Sequence, residues 1–290
     1  VHVPTTSGGA VTWNVVDVSG NHHVNTAIPG IIIVTTDHGT TTIDSETGEW
    51  NFVLANQDDS VQSLAEGEVV TDVITIRATD AEGATVEQPL AITVTGTNDA
   101  PVITSSVQEG AVTEDGTLVA TGRVTSTDVD HEATAAYSGD ATGTYGAFAV
   151  DAKTGEWTYN MSNDAHQNLK AGETHTETFT VTVTDDQGDT ATQDVTVTVT
   201  GTNDAPVITS SVQEGAVTED GTLVATGRVT STDVDHEATA AYSGDATGKY
   251  GTFAVDAETG EWTYTLDNTS EVVQALKVGE TQTETFTVTV

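Results

Sequence analysis

The sequence predicts an all-β chain of tandem antiparallel Greek-key β-sandwiches arranged end to end. Three observations carry this prediction. Threonine fills 58 of the 290 positions, much of it alternating with Val, and both are β-branched side chains that favour strands over helices. Residues 93–143 recur without a change as residues 198–248, so a unit of about 105 residues is repeated. Asp, Asn and Gly punctuate each unit at short intervals, and about seven short strands in roughly 100 residues, with turns every 8–12, is a sandwich pattern.

The elements can be taken in order along the second unit. Residues 118–124 and 145–150 are apolar runs of strand length. Asp151-Ala152-Lys153-Thr154-Gly155 follows as a hairpin turn, with Gly155 suited to positive φ. Trp157-Thr158-Tyr159 returns as the next strand, and Gln167-Asn168-Leu169-Lys170 reads as a short helical piece. Phe179, Val181 and Val183 then alternate with Thr, as do Val195, Val197 and Val199. That period of two marks half-buried strands, and Asp185-Asp186-Gln187-Gly188-Asp189 supplies the turn between them.

The repeat divides the chain into residues 1–97, a diverged unit with an incomplete start, residues 98–202, a complete unit, and residues 203–290, a unit expected to lack its last strand. The first unit has no counterpart of residues 112–116, and the third has none of residues 184–199, so the phase predicts a window cut from a longer array. Trp50, Trp157 and Trp262 recur at one place in each unit, each followed two residues on by another aromatic. They are expected in the cores, with a sugar-stacking surface as the alternative.

Composition narrows the partners. Seven basic against 45 acidic residues leave a formal charge of −38. Nucleic acid and anionic membranes need Lys and Arg to replace counterions, so both are excluded as partners. There is no Cys, hence no disulfide framework, and no run approaches the ~18 apolar residues of a membrane span. The start, Val1-His2-Val3-Pro4, has neither the basic nor the apolar part of a secretion signal. No nucleophile elbow, phosphate loop, zinc-protease His motif or Gly-Gly-x-Gly-x-Asp nonapeptide occurs. His22-His23 stands alone, and His131 and His236 merely follow Asp pairs, so zinc and catalysis are not expected.

The carboxylates collect at the unit ends: Asn98-Asp99 before Ala100-Pro101, Glu114-Asp115, Asp128-Val129-Asp130, and Asp185-Asp186 with Asp189. The third unit repeats Asn203-Asp204, Glu219-Asp220 and Asp233-Val234-Asp235. Turns of a sandwich gather at its poles, where acidic turns of adjoining units can meet. Two carboxylates about 4 Å apart repel by roughly 4 kcal/mol at an effective dielectric of 20, so they need a cation or must splay. Oxygen ligands without His or Cys select calcium over zinc or copper. Linker turns and solvated strand ends are the structural alternatives, and Asp115, Asp186 and Asp189 are read as turn formers.

The order Glu114-Asp115-Gly116-Thr117, Asp128-Val129-Asp130, Phe148-Ala149-Val150-Asp151, Thr154-Gly155, Thr184-Asp185 and Asn203-Asp204-Ala205-Pro206 is similar to a cadherin repeat. Thr95-Gly96-Thr97-Asn98-Asp99-Ala100-Pro101-Val102 more closely resembles the VCBS repeats of large bacterial RTX-type surface adhesins. The likeness covers the second and third units well, and the first from about Asp37. It implies a cadherin- or immunoglobulin-like sandwich with calcium between successive modules. At the first junction, Asn98 and Asp99 would meet Asp128, Asp130 and Asp185. At the second, Glu114 would join Asn203, Asp204, Asp233 and Asp235. The counterpart of Asp185 in the third unit falls beyond Val290, and the first unit shows none of Glu114, so each junction is expected to be one ligand short. Met161-Ser162-Asn163-Asp164 matches the family's fifth-strand acidic motif poorly, and Asp17-Val18-Ser19 keeps one Asp of the Asp128-Asp130 pair.

The expected function is a structural extender: a calcium-stiffened stalk region of an extracellular adhesin at a bacterial cell surface. Its partners would be calcium and neighbouring modules, with a glycan or protein receptor elsewhere in the parent protein. The alternative is an adhesive module, with residues 1–97 recognising a glycan or protein through their divergence and their apolar Ile31-Ile32-Ile33-Val34.

Overall fold

The computed structural model describes residues 9–290; the Val1-His2-Val3-Pro4 start lies outside the described residues. The chain is nearly all β, in three successive groups of strands. The first holds β1 (Thr12–Val18), β2 (His22–Asn25), β3 (Ile31–Thr36), β4 (Gly39–Asp44), β5 (Trp50–Leu54), the one-turn helix α1 (Asp59–Gln62), β6 (Val69–Thr79) and β7 (Thr85–Thr95). They form the sheets β1-β6-β7 and β2-β3-β4-β5. Their facing sides enclose Val18, Ile32, Val34, Ile43, Ile74 and Ile76.

The second group adds β8 (Val102–Ile103), β9 (Gln108–Thr113), β10 (Val119–Arg123), β11 (Ser126–Thr127), β12 (Ala136–Ser138), β13 (Ala141–Thr142), β14 (Gly146–Val150), β15 (Glu156–Met161), β16 (Thr174–Thr184) and β17 (Thr190–Thr200). Its two main sheets run β12-β16-β17-β9 and β10-β15-β14-β13. The chain crosses from one sheet to the other between β9 and β10, the Greek-key step. β16 and β17 form an eleven-residue antiparallel hairpin from Thr174↔Thr200 to Thr184↔Thr190, with β9 parallel to β17. Val181, Val183, Val195, Val197 and Val199 all face inward and are fully buried, and a slip of one residue would turn every one of them to solvent. The predicted alternation is therefore the core itself.

The third group contains β18 (Val207–Ile208), β19 (Val224–Arg228), β20 (Ser231–Thr232), β21 (Ala246–Thr247), β22 (Gly251–Val255), β23 (Glu261–Leu266) and the one-turn helix α2 (Glu271–Gln274). Residues 213–218, identical to β9, are not in a strand, and residues 281–290 make only the bridge Ser243↔Thr289. In the second group β9 and β16 both pair with β17; among the described residues the third group has no such strand. Among the described residues no helix is long and apolar enough to cross a membrane.

Each group turns one acid inward at a matching place. Asp72 accepts from Thr36 Oγ1 (2.6 Å) and lies 2.8 Å from His38 Nδ1. Glu177 accepts from the Tyr159 hydroxyl (2.5 Å) and Glu284 from the Tyr264 hydroxyl (2.7 Å). Burial, followed by the bonded carboxylate, raises the pKa of both tyrosines.

Three expectations need correction. Trp157 and Trp262 are in cores at 1% and 6% exposure, but Trp50 is 49% exposed. Trp157 lies against Gly110 and Gly122 of β9 and β10, and among the described residues no strand covers the free edge of β5 in that way. The helical turn lies at residues 163–165, not 167–170. Asp17-Val18-Ser19 does not match the Asp128 turn: Asp17 and Val18 belong to β1, which pairs with β6 as β12 pairs with β16, and Val18 is in the core.

Candidate functional site

The acidic turns meet the linkers at two junctions, and local hydrogen bonding sets each turn. In the β16–β17 turn, Asp185 Oδ1 accepts the amides of Gln187, Gly188 and Asp189 at 2.9, 2.6 and 2.9 Å. That leaves Asp185 Oδ2 to face the linker, where Asn98 Nδ2 donates to it at 3.0 Å and to Asp189 Oδ2 at 2.9 Å. The Asp99 amide donates to Asp130 Oδ2 at 2.9 Å, and the Asp130 amide to Asp128 Oδ1 at 3.0 Å. The first junction thus gathers Asn98, Asp99, Asp128, Asp130 and Asp185, the set expected from sequence.

The second junction repeats part of this arrangement. The Asp204 amide donates to Asp235 Oδ2 at 3.1 Å, and the Asp235 amide to Asp233 Oδ1 at 3.0 Å. Glu114 is fully buried. Its Oε2 accepts the Thr202 amide at 3.0 Å, and its own amide donates to Thr200 O at 2.9 Å. The Asn203 side chain donates to Asp204 O at 2.5 Å and is not bonded to any of the carboxylates.

Two further residues join the first junction. Glu66 Oε2 accepts the Asn98 amide at 3.0 Å, which brings a carboxylate from the first group to a junction that has no Glu114. Its counterpart in the second unit is Ala171, so the repeat carried no sign of it. Asp189, expected as a turn former, also accepts from the linker Asn98 side chain. Asp115 is held within its own group by Asn163 and Gln167, which lower its pKa.

The electrostatics are those of crowded, partly buried carboxylates. Burial raises the pKa of Asp130, and the neighbouring Asp128, Asp99 and Asp185 charges raise it further. Burial likewise raises Glu114, with Asp204, Asp115 and Asp235 adding to the effect, and it raises Asp204 with Asp115, Asp235 and Asp233. Asp185 moves the other way because the Asn98 amide bonds its charged form.

Among the described residues, five buried side-chain oxygens have no hydrogen-bond partner: Asp128 Oδ2 and Asp130 Oδ1 at the first junction, and Glu114 Oε1, Asp204 Oδ2 and Asp235 Oδ1 at the second. A buried acceptor left unpaired costs about 1–3 kcal/mol, more when charged, so five at two places call for a missing positive partner. The donor set is all oxygen, the chemistry of a hard divalent cation. Among the described residues no three His, Cys, Asp or Glu side chains already converge on one metal position; between Asp185 and Asp189 the Asn98 amide supplies the positive edge.

The bacterial cadherin-like domain family matches residues 98–201 and again residues 203–290. No curated protein matches the chain. Among solved structures, a crystal structure of mouse cadherin-23 EC22-24 is 19% identical, covering 91% of this chain and 78% of that one, with a TM-score of 0.49. The human CDH23 EC21-23 structure is 18% identical, covering 91% of this chain and 81% of that one, with a TM-score of 0.48.

Proposed function

The chain belongs to the bacterial cadherin-like domain family, and from that premise we propose that it is an extender segment of an extracellular adhesin stiffened by calcium at its junctions. Cadherin-like repeats are extracellular structural or adhesive units rather than enzymes. The finer reading takes residues 1–97, 98–202 and 203–290 as successive modules, of the VCBS type, in a biofilm-forming RTX-type adhesin at a bacterial surface. What supports calcium is the set of five unpartnered buried oxygens, all of which belong to the residues singled out from sequence.

Asn98, Asp99, Asp128, Asp130 and Asp185 would hold calcium at the first junction. Glu114, Asp204, Asp233 and Asp235 would hold it at the second, with Asn203 beside them. The ion supplies positive charge and flexible oxygen coordination. The chain's own residues set the arrangement: Glu114 anchors the linker through Thr202, while Asp130 and Asp235 hold the linker amides of Asp99 and Asp204. A cation that binds only the ordered junction contributes RT ln(1 + [Ca]/Kd), about 2.7 kcal/mol at 100 times Kd. A junction that is loose where calcium is scarce therefore locks in a calcium-rich medium.

Small-angle scattering and thermal melting, each with calcium and then with chelator, test the reading. Calcium should lengthen the maximum dimension and raise the melting temperature; no change in either removes it. Trp50, unlike its buried counterparts, is about half exposed, which favours an adhesive first module as the second reading. Glycan-array binding by the intact chain that disappears with Trp50→Ala would support it.

A further inference from the structure

A second contact crosses each junction, made by the residues that directly follow the Asp128–Asp130 and Asp233–Asp235 pairs and through atoms other than the unpartnered oxygens. At the first, the His131 amide donates to Ser63 O at 2.9 Å, and His131 Nδ1 lies 2.9 Å from Glu68 Oε2. At the second, the His236 amide donates to Asn168 O at 2.9 Å, and Lys170 Nζ donates to Glu237 Oε2 at 2.9 Å. The accepting loop is prearranged by its own glutamate, which takes the amide of Ala65 through Glu68 (3.1 Å) and of Lys170 through Glu173 (3.3 Å). The third group builds the same loop, with the Lys277 amide 3.2 Å from Glu280 Oε2. The donating turn is also specialised. Glu132 and Glu237 are among only four non-glycine residues with positive φ among those described, at 58° and 56°.

We propose that this loop-and-turn contact is a cation-independent hinge pin, so that a junction without calcium swings about one side instead of tumbling freely. The turn of each module is the partner its predecessor's loop is built to receive. Each bond alone is weak, because exposed ion pairs and single hydrogen bonds contribute little in water. The linker changes that. A connection of a few residues holds turn and loop at an effective concentration on the order of millimolar, so weak contacts form intramolecularly. The two pins differ at three loop positions, Ser63 against Asn168, Ala65 against Lys170 and Glu66 against Ala171. His131 lies 2.9 Å from Glu68 but His236 Nδ1 lies 3.6 Å from Glu173. Only the second pin carries a lysine, which reaches Glu237, while Ala65 and Glu66 stand opposite Glu132 across a shallow open cleft at the first. The second junction should therefore hold its direction better once calcium is removed. His131 needs no charge for its bond, since a neutral imidazole still donates through one nitrogen.

The absence of Cys allows clean spin labelling with cysteine pairs placed across either junction on the full chain. Distance distributions in chelator at low salt should be narrower at the second junction than at the first. Lys170→Glu should remove that difference, and Ala65→Lys should narrow the first junction. In the parent chain, 1 M salt shortens the Debye length to about 3 Å and should broaden the second junction without any substitution. Equal widths at both junctions in the chelated parent, unaltered by Lys170→Glu and by salt, would overturn the pin. The pin does not rest on the calcium reading: Asp128→Asn with Asp130→Asn should abolish the calcium response and leave the chelated widths as they were. A parent chain with no calcium response and a persisting width difference would sink calcium alone.

Discussion

Replacing Glu114 by Gln should have opposite effects on stability with and without calcium. Glu114 is fully buried; one oxygen holds the Thr202 amide, and the other has no partner while Asp204, Asp115 and Asp235 press on its charge. Gln keeps an acceptor for Thr202, removes the charge, and puts a donor where an unpaired oxygen stood. Relieving one buried unpaired acceptor is worth about 1–3 kcal/mol. Taking the low end, the chelated variant should melt about 4–8 °C above the parent, the shift that 1 kcal/mol gives a domain of 60–100 residues. In excess calcium the order reverses. A tenfold weaker site at the second junction removes about 1.4 kcal/mol of calcium stabilisation, which more than cancels the gain. Calorimetry of both proteins at neutral pH, in chelator and in millimolar calcium, reads both arms. A variant less stable than the parent in chelator, with its calcium increment intact, would show that Glu114 serves only to anchor Thr202.

Other outcomes follow from the same geometry. Asp128→Asn with Asp130→Asn should abolish calcium-dependent straightening at the first junction and preserve it at the second, as read by scattering on the full chain. In chelator, acid should stabilise the junctions. Glu114, Asp130 and Asp204 have raised pKa values in the folded state, so their contribution is fully present below the ordinary carboxylate values of 4.5 and 3.8 and is lost as pH rises through the raised ones. Above about pH 5, where the lowered carboxylates such as Asp185 and Asp115 stay ionised, melting temperatures should fall with rising pH in chelator and lose that slope in calcium. Gly122→Ala places a Cβ 2.5 Å from the Trp157 ring; such overpacking should cost about 1–3 kcal/mol, measurable by denaturant unfolding and matched by Gly227→Ala beneath Trp262.

Much of this was legible in the chain because strands and turns write themselves locally. Phe179, Val181 and Val183 declare their burial by alternation, and Gly155 its positive φ of 68° by its place after Asp151 and Thr154. The acids of the linkers and turns were equally visible, because a 105-residue repeat lines up their counterparts. What stayed hidden depends on neighbours distant in sequence. Trp50 looks like Trp157, and only the pairing of β5 shows that, among the described residues, no comparable strand covers it. Glu66 has no repeat partner, and Ser63 and Asn168 act through backbone carbonyls that every residue possesses. Asp17-Val18 imitated an acidic turn by composition while its register placed it in a strand.

Refolding raises a difficulty that no cation resolves. Neighbouring repeats can misassemble by exchanging strands, and residues 93–143 and 198–248 are interchangeable letter for letter. The inward acids act as keys against part of that exchange. Asp72 is cut to the length of Thr36 and His38, whereas Glu177 is cut to that of the Tyr159 hydroxyl. β6 placed in the second sandwich would leave Tyr159 unanswered, and β16 in the first would meet His38 with a longer arm. Glu177 and Glu284 carry the same key for Tyr159 and Tyr264. The first module is thereby told apart from the second, and the errors of refolding should concentrate between the second and the third.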